Sequence, residues 1–447
     1  MADKSNRRTT NPTGSYDLTL LLTVLGLVVV GLIMVFSASF HQGLEGFEDP
    51  YYFIFLQIRW VFLGLVALVV GARIPYQFWE RWSIVLMGLA LLMLLGVIIL
   101  GSDLFGSTRT LFNGSVQPSE AAKIVVIIYI SAWLTSKGDR IKNINYGLIP
   151  FGVLMGVVAA LVVAQPDIST AVLIVLTASV LFFIAGAELR QIAIIAVLAG
   201  FTLWIVISQN SYAGDRISQY LASTGNPLLS SSWQIRNSTV AVVSGGPLGA
   251  GIGAGAMKAG WIPLGWSDNI FAVVGEEMGL LGSLLVIILF ALFAYRGFQI
   301  ALRAKDNFGM LMATGITTLV LFQALLNLTV ILALVPPTGV TLPFISYGGS
   351  SMLVLLGSVG LLLSVSKFGT TDQAGIVRTN RISPKGEATY ARLDFGWRNR
   401  WSRLSGTGRG RSTGRAKPRT TTRTARKSPS RTSGTKSTRS RQSKSDK

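Results

Sequence analysis

The chain has 447 residues, of which 50% are hydrophobic and only 13% charged, and its mean hydropathy is +0.53. This composition is far too apolar for a soluble domain of this length and indicates a membrane protein. The sequence contains no cysteine, which excludes disulfides and thiolate chemistry. The single histidine, His41, lies in a short acidic loop, where we expect it to be solvated.

The net charge of +20 is concentrated near the C-terminus. Residues 367–447 contain 22 Lys/Arg and 4 Asp/Glu, a net charge of +18, whereas the residues before them carry +2. A stretch this rich in Ser, Thr, Gly and Arg cannot bury enough apolar surface to fold, so we predict a disordered basic cytoplasmic tail over residues 369–447. Anionic lipid headgroups are its predicted partner, and nucleic acid is not.

Ten apolar runs follow a short N-terminal segment, residues 1–16. Each is read as a membrane span, at ~20 residues per ~30 Å of hydrocarbon. In chain order they are about Leu18–Phe36, Tyr52–Val70, Ile84–Leu100, Ala121–Leu134, Tyr146–Val163, Thr170–Ala185, Ile192–Ile207, Ile270–Tyr295, Gly309–Val335 and Ser351–Ser366. The sequence therefore predicts an all-α polytopic membrane domain over residues 17–368, with one long extracellular loop at about 208–269.

The distribution of Lys and Arg among the loops predicts the orientation. Loops with basic residues alternate along the chain with loops that lack them. The basic loops lie on the same side as both basic termini, and they contain Arg73, Arg81, Lys137, Arg140, Lys142, Arg190, Arg296, Arg303 and Lys305. We therefore expect both termini in the cytoplasm. Four unusual polar motifs fall on the opposite side of the membrane.

The first two motifs are short polar turns that precede apolar runs. In QPSEAAK, Pro118 suits a helix start, and Glu120 and Lys123 are spaced to pair on one helix face. This pair fits a structural and a functional role equally well. In QPDIST, the carboxylate of Asp167 could bind a substrate or simply cap the next helix.

The third motif, Ser244–Gly282, joins a glycine-rich loop to an apolar run. No strand precedes its glycines, so a nucleotide-binding loop is not expected. Ionisable groups at membrane depth suggest a functional site, although they could also be solvated or paired with neighbouring helices. We expect Asp268 at the start of the helix that begins at Ile270, where the helix dipole favours the ionised form. The alternative is that Asp268 is only an N-cap.

The fourth motif, Leu334–Met352, is LVPPTGVTLPFISYGGSSM. Prolines, paired glycines and serines between two apolar runs predict a broken or re-entrant segment. Such a backbone is tolerated at membrane depth only where it is buried in protein or lines a watery cavity.

These four motifs, in this order, resemble the SEDS family (shape, elongation, division and sporulation). The resemblance covers about Asp17–Phe368 and is carried by Asn327 and the run Leu342–Ser351, by Gln117–Lys123 and by Gly245–Gly282. Two departures stand out: LGWS at Leu264–Ser267 replaces a Glu-x-His-Thr-like run, and Ser169 replaces a glycine. The run MVFSAS at Met34–Ser39 looks more like the division member than the elongation member.

The resemblance implies a peptidoglycan glycosyltransferase that polymerises lipid II on the outer face of the cytoplasmic membrane during division. It would invert the donor anomeric carbon and release undecaprenyl pyrophosphate. Asp268 would be the catalytic base. The substrate-binding candidates are Lys258, Arg216, Arg109, Glu120, Lys123, Asp167, Glu276, Glu277 and Ser350. A divalent cation, Mg or Mn, is a candidate cofactor, with Asp167 and Glu120 as oxygen ligands.

The resemblance also implies a class B penicillin-binding protein, the transpeptidase, as a partner, along with other membrane proteins of the division machinery. The alternative function is a flippase for lipid-linked precursors, or a division scaffold without catalysis. A flippase needs a polar path through the membrane midplane. The sequence instead places its unusual carboxylates towards the outer side, with only Glu276 and Glu277 expected deeper.

Overall fold

The computed structural model describes residues 14–100, 102–104, 107–110, 117–209, 211–223, 232–258 and 260–369. Within these ranges the chain forms twelve α-helices and one short antiparallel hairpin, β1 (Ser102–Leu104) with β2 (Ser107–Thr110). The helices are α1 (Leu18–Phe47), α2 (Tyr52–Arg73), α3 (Gln77–Leu100), α4 (Pro118–Lys137), α5 (Ile149–Val163), α6 (Ile168–Ile184), α7 (Leu189–Gln209), α8 (Ser211–Ser223), α9 (Trp233–Ser244), α10 (Ile270–Leu302), α11 (Asn307–Ile331) and α12 (Gly349–Phe368). The predicted all-helical class is confirmed.

Nine helices in the described part of the chain are long and apolar enough to cross a membrane, judged by length and composition. The remaining predicted span, Thr170–Ala185, corresponds to α6, which is apolar but has only 17 residues. Every predicted apolar run overlaps one of these ten helices. Many of these helices extend past the predicted bounds of the span, because polar residues can continue a helix beyond its apolar run.

Aspartates fix the starts of three helices. The backbone N–H of Leu20 donates to Asp17 at 2.9 Å, and that of Gly309 donates to Asp306 at 2.7 Å. Asp167 accepts from the N–H of Thr170 at 3.2 Å, so the sixth helix has the cap that the sequence allowed.

The predicted long loop at 208–269 contains two helices that the sequence analysis missed, α8 and α9. Both are short, and neither is apolar enough to be recognised as a membrane span. The stretch between the seventh and eighth predicted spans is therefore partly helical.

The centre of the bundle is formed by α11, α12 and α4. In the most apolar 18-residue window of α11, 72% of residues are buried inside the protein, against 6% in α7. Helix α7 thus lies at the periphery with its apolar side chains outward, as a membrane environment allows.

Glycines let α2 and α12 approach closely. A Cβ atom at Gly360 would lie 2.4 Å from the carbonyl oxygen of Leu68, and one at Gly71 would lie 3.2 Å from that of Gly357. Small residues at helix interfaces allow such backbone contact in membrane proteins. Helices α2 and α12 are therefore direct neighbours.

Polar contacts join both ends of the membrane domain on one side of the bundle, which we call the terminal end. The N–H of Asp17 donates to Ser366 at 2.9 Å, and Lys367 donates to the hydroxyl of Tyr16 at 3.0 Å. Arg296, near the C-terminal end of α10, donates to both carboxylate oxygens of Asp17, at 2.6 and 3.2 Å. The opposite side, where α10 begins, is called the site end below.

Helix α10 is interrupted at Gly279, whose φ of 64° and ψ of −159° are not helical. The glycine loop, residues 245–258, supplies replacements for the helical hydrogen bonds lost there. Ala250 and Gly251 donate to the carbonyl oxygens of Glu276 and Glu277 at 2.9 and 3.0 Å. In return, the N–H of Leu280 donates to Gly246 and that of Leu281 to Pro247, at 2.9 and 3.2 Å. The interruption is thus satisfied within the protein, as membrane depth requires.

Candidate active site

Asp268 lies directly before α10, but it is not the residue that caps the helix. The N-cap position belongs to Asn269, whose side chain donates to the carbonyl oxygen of Pro263 at 2.5 Å. The alternative that Asp268 is only an N-cap is therefore wrong. Its carboxylate is available for another task.

The electrostatic environment of Asp268 differs from the prediction. Burial raises the pKa of this carboxyl to about 6, although a hydrogen bond from its own backbone N–H, the positive charge of Arg216 and a hydrogen bond from the N–H of Asn269 oppose the shift. The helix dipole, which was expected to favour the ionised form, does not keep the pKa at its usual value, because desolvation of the charged form outweighs it. A pKa of about 6 still leaves the carboxyl mostly ionised at neutral pH. Within the part of the chain that the structure describes, Oδ1 of Asp268 is buried without a hydrogen-bond partner. A pKa near neutrality and an unsatisfied acceptor suit a general base.

Arg216 reaches the site from α8, one of the two helices missed in the loop. Its guanidinium donates to the carbonyl oxygen of Pro337 at 3.2 Å. On the same helix, the hydroxyl of Tyr220 donates to the carbonyl oxygen of Leu334 at 2.7 Å. Arg109 lies on β2, and its side chain is outside the described part of the structure.

Glu120 and Lys123 form the predicted pair on the first turns of α4. The ammonium of Lys123 lies 2.9 Å from the carboxylate of Glu120 and 3.4 Å from the amide oxygen of Gln323. Both charged residues are buried, with 7% and 3% of their surface exposed. Removing one member of a buried pair destabilises the fold, because the other charge stays buried without compensation.

We expect Glu120→Gln and Lys123→Met each to lower the free energy of unfolding by roughly 1–3 kcal/mol, because each leaves a buried charge without its partner. The double variant should recover part of the loss. Thermal melting of the purified protein measures all three. Asp139 and Lys142 provide the matched control, since they have the same spacing in the sequence but are exposed. Their charged atoms lie 3.6 Å apart. Removing that pair should leave the melting temperature unchanged. Singles that melt like the wild type but lack activity would instead favour a purely functional pair.

Asp167 and Ser350 are also at the site end, with protein donors around them. Asp167 Oδ2 accepts from the amide of Gln117 at 3.2 Å and from the hydroxyl of Ser119 at 3.5 Å, in addition to capping α6. Ser350 Oγ accepts from the backbone N–H of Gln117 at 3.2 Å. These contacts connect the starts of α4, α6 and α12.

The divalent cation stays a prediction. The two carboxylates predicted as ligands already have protein partners, Lys123 for Glu120 and the α4 and α6 donors for Asp167. In the described ranges no group of three or more His, Asp or Glu side chains lies close enough together to hold a metal ion. These residues, as arranged, do not form a metal site of the usual composition.

Lys258, Glu276 and Glu277 hold the glycine loop against α10. Lys258 Nζ donates to Glu277 at 2.6 Å, to Ser37 of α1 at 2.8 Å and to the carbonyl oxygen of Gly253 at 2.7 Å. We call Lys258, Glu277 and Ser37 the Lys258 cluster. Their predicted contact with substrate stays a prediction, and direct contact would require Lys258 to leave this buried cluster.

Glu276 adds a second attachment of the glycine loop. One of its carboxylate oxygens accepts from the N–H groups of Ala256 and Met257 at 2.7 and 2.9 Å. The residue is 4% exposed. The structure therefore places both glutamates in the packing between loop and helix.

The non-helical segment between α11 and α12, residues 332–348, connects the separate parts of the site; we call it the end segment. Its carbonyl oxygens accept hydrogen bonds from six side chains on four helices: Arg216 and Tyr220 on α8, Ser169 on α6, Gln323 and Asn327 on α11, and Gln57 on α2. The expected broken segment is thus present and buried at Leu342, Phe344 and Ile345. The sequence analysis missed Gln57 and Gln323, although each is a lone amide inside an apolar run, and that pattern could have revealed them.

The arrangement can support a transfer reaction. An unsatisfied carboxylate can take a proton, and nearby positive charge can hold an anionic group, which is the combination needed when an alcohol attacks a carbon that bears a phosphate leaving group. Asp268 and Arg216 supply these two functions from different elements. The end segment fixes both, because it accepts from Arg216 and, through Asn327, is linked to Asp268.

The sequence is similar to characterised families over most of its length. A family model described as "Cell cycle protein", for FtsW, RodA and SpoVE, matches residues 18–371. A probable peptidoglycan glycosyltransferase FtsW of Geobacter metallireducens is 38% identical over 355 residues, which cover 78% of this chain and 94% of that protein. Stage V sporulation protein E of Bacillus subtilis is 36% identical over 363 residues, covering 79% and 98%.

The fold is similar to solved structures as well. A chain from a peptidoglycan synthase complex, in a study of the structural coordination of polymerization and crosslinking, superposes with a TM-score of 0.64 at 25% identity, covering 78% of this chain and 97% of that one. The rod shape determining protein RodA of Thermus thermophilus gives a TM-score of 0.60 at 24% identity, covering 80% and 98%. These similarities confirm the polytopic membrane fold.

Proposed function

The chain belongs to the SEDS family of cell cycle proteins, which includes FtsW, RodA and SpoVE, and on this basis we propose that it is a peptidoglycan glycosyltransferase of the FtsW type. It is an integral membrane enzyme that polymerises lipid II into glycan strands. The relatives named as glycosyltransferases match it over nearly their whole length, which supports transfer of the activity to this chain.

The proposed reaction uses Asp268 as the general base. As the 4-hydroxyl oxygen of the acceptor sugar attacks the donor anomeric carbon, Asp268 takes the hydroxyl proton. The bond from that carbon to the pyrophosphate oxygen breaks, the configuration inverts and undecaprenyl pyrophosphate leaves. A pyrophosphate is a good leaving group, so cationic stabilisation is required more than a second carboxylic acid. Arg216 is the side chain best placed to supply it, because its charge acts on Asp268.

The observation that carries this proposal is the buried, unpartnered oxygen of Asp268 beside the positive charge of Arg216. A buried acceptor without a donor carries a free-energy cost of ~1–3 kcal/mol, and such a cost is commonly found at functional sites. The hydroxyl of an acceptor sugar would supply the missing donor and then give up its proton.

We propose that the terminal end faces the cytoplasm and that the site end faces outward. The alternation of Lys and Arg between loops supports this orientation. A class B penicillin-binding protein is the proposed partner, since a similar chain was solved within a peptidoglycan synthase complex. Other division membrane proteins are further proposed partners, and anionic lipid is the proposed partner of residues 369–447.

The direct test is polymerisation of fluorescent lipid II by the purified protein together with its penicillin-binding partner. We expect glycan strands that a gel resolves as a ladder. Addition of EDTA tests the predicted role of Mg or Mn in the same assay. Translocation of lipid II across vesicle membranes without any polymer would support the flippase alternative instead.

The rate should depend on pH through Asp268. Because the pKa of this carboxyl is raised to about 6, the basic form is lost as the pH falls below 6, and the rate should fall about tenfold per pH unit there and level off above it. Replacing Arg216 with Gln removes the charge that lowers this pKa, so the acid limb should move to higher pH. The pH profiles of wild type and Arg216→Gln in the lipid II assay measure both effects. An unchanged profile in the variant would show that Arg216 does not act on the base.

A further inference from the structure

Three side-chain amides surround the backbone of Asp268. Asn327, on α11, donates from Nδ2 to the carbonyl oxygen of Asp268 at 2.6 Å and to that of Val340 at 2.8 Å. Asn269 donates to Pro263 at 2.5 Å and accepts from Gln234 of α9 at 3.1 Å. Asp268 and the residue after it are therefore fixed by hydrogen bonds to three separate parts of the chain, which are α11, α9 and the loop at Pro263.

Asn327 has the central place in this arrangement. It is 1% exposed and lies on the most buried helix of the bundle. Its two donated bonds use both hydrogens of the amide, one towards the loop that carries Asp268 and one towards the end segment. A single rigid side chain thus sets the distance between these two irregular segments.

The end segment also fixes the charge that faces Asp268. The carbonyl oxygen of Pro337 accepts a hydrogen bond from Arg216. Pro337 is three residues before Val340, whose carbonyl oxygen accepts from Asn327. A Cβ atom at Gly339, between them, would lie 3.8 Å from Oδ2 of Asp268. The carboxylate, the guanidinium and the backbone that separates them are therefore positioned together through Asn327.

We propose that Asn327 is a positioning residue, which holds Asp268 against the end segment in the geometry needed to receive the acceptor proton. This inference rests on the proposed function, because it assumes that Asp268 is the base. The amide nitrogen of Asn327 is engaged with two backbone oxygens, and within the described residues its Oδ1 is buried without a donor. Asn327 acts on the reaction through Asp268.

Positional errors of about 1 Å in a catalytic group can reduce the rate about 100-fold. Replacing Asn327 with Leu keeps the branched shape and removes both donated bonds. We therefore expect kcat for lipid II polymerisation to fall about 10- to 100-fold, with KM changed less than about twofold, because substrate contacts are left in place. Asn327→Gln keeps an amide on a longer side chain and should recover part of kcat.

Asn237 provides a matched control on α9. It is also a buried asparagine, 4% exposed, and it donates to the carbonyl oxygen of Trp261 at 2.6 Å, the same length as the bond from Asn327 to Asp268. Asn237→Leu should lower the melting temperature by a similar amount and leave kcat per folded molecule within about twofold, since only a structural bond is lost.

The assay compares these variants in complex with the penicillin-binding partner, with rates expressed per folded molecule from melting and size-exclusion data. Asn327→Ala is included because it cannot introduce a steric clash, so it decides the matter if the Leu variant does not fold. Normal kcat in folded Asn327→Ala or Asn327→Leu would overturn the proposal, as would an equal loss in Asn237→Leu. A wild-type complex that forms no polymer would contradict the proposed function instead, so the two failures are distinguishable.

Discussion

The Asp268→Asn variant is expected to lose glycan polymerisation, by ~100- to 10,000-fold, the usual effect of removing a general base. Asparagine keeps the shape of the side chain and removes its ability to take a proton. The structure sharpens this expectation, since Asn269 and not Asp268 occupies the N-cap position. A structural role as a cap therefore does not predict any loss at residue 268.

Stability should not account for the loss. The pKa of Asp268 is raised by burial to about 6 from 3.8, so between these values the folded state holds a proton that the unfolded state has lost, and stability falls as the pH rises through this range. Above pH 6 the folded state contains a buried carboxylate. The neutral amide avoids that cost, so Asp268→Asn should melt at the wild-type temperature or slightly above it at pH 7.5. Polymerisation by the folded variant complex at a third of the wild-type rate would exclude Asp268 as the base.

Breaking the Lys258 cluster should give the largest loss of stability. Lys258→Met leaves the carboxylate of Glu277 buried, with only the hydroxyl of Ser37 and the N–H of Gly253 as donors, and the side chain of Glu277 is fully buried. Leaving one member of a buried ion pair unpaired costs roughly 3–5 kcal/mol. We expect Glu277→Gln to have a similar effect through the unpaired ammonium. Thermal melting in detergent measures both.

The double variant Lys258→Met/Glu277→Gln separates the two roles considered for this pair. If the cluster only fixes the glycine loop, removing both charges should restore most of the stability and the polymerisation rate per folded molecule, which is the result we expect. A stable double variant without activity would support the predicted contact with substrate. Glu188 and Arg190 offer the matched control, since their pair is 2.5 Å long but exposed; its removal should not change the melting temperature.

The helices could be predicted from the sequence because their signal is local. Length and hydropathy identify an apolar run without any knowledge of its neighbours. The interruption of α10 could not be predicted in this way, since Gly279 lies inside a predicted span and its conformation depends on hydrogen bonds to the glycine loop, residues 245–258. Helices α8 and α9 were missed because they are short and their sequences mix polar and apolar residues, so that neither contains an apolar run.

In the candidate site, too, local features could be predicted from the sequence and features that depend on tertiary packing could not. The Glu120–Lys123 spacing and the Asp167 cap are local patterns, and the structure contains both. The raised pKa of Asp268 arises from burial by separate elements, which no spacing along the chain encodes. For Lys258, the residue type suggested a ligand for phosphate, whereas its contacts with Ser37 and Glu277 are set by the packing of α1 against α10.

The contact between α2 and α12 has a consequence for the order of events during synthesis. Ser364 of α12 donates to the carbonyl oxygen of Ile74, 290 residues earlier in the chain. At ~5–20 residues per second, the ribosome needs roughly 15 to 60 s to make the intervening chain. During this interval the glycine surface of α2 is without its final neighbour, because Gly360 has not yet been translated. Completion of the bundle, and with it the burial of the end segment linked to Asp268, is therefore among the last steps in the biogenesis of this protein.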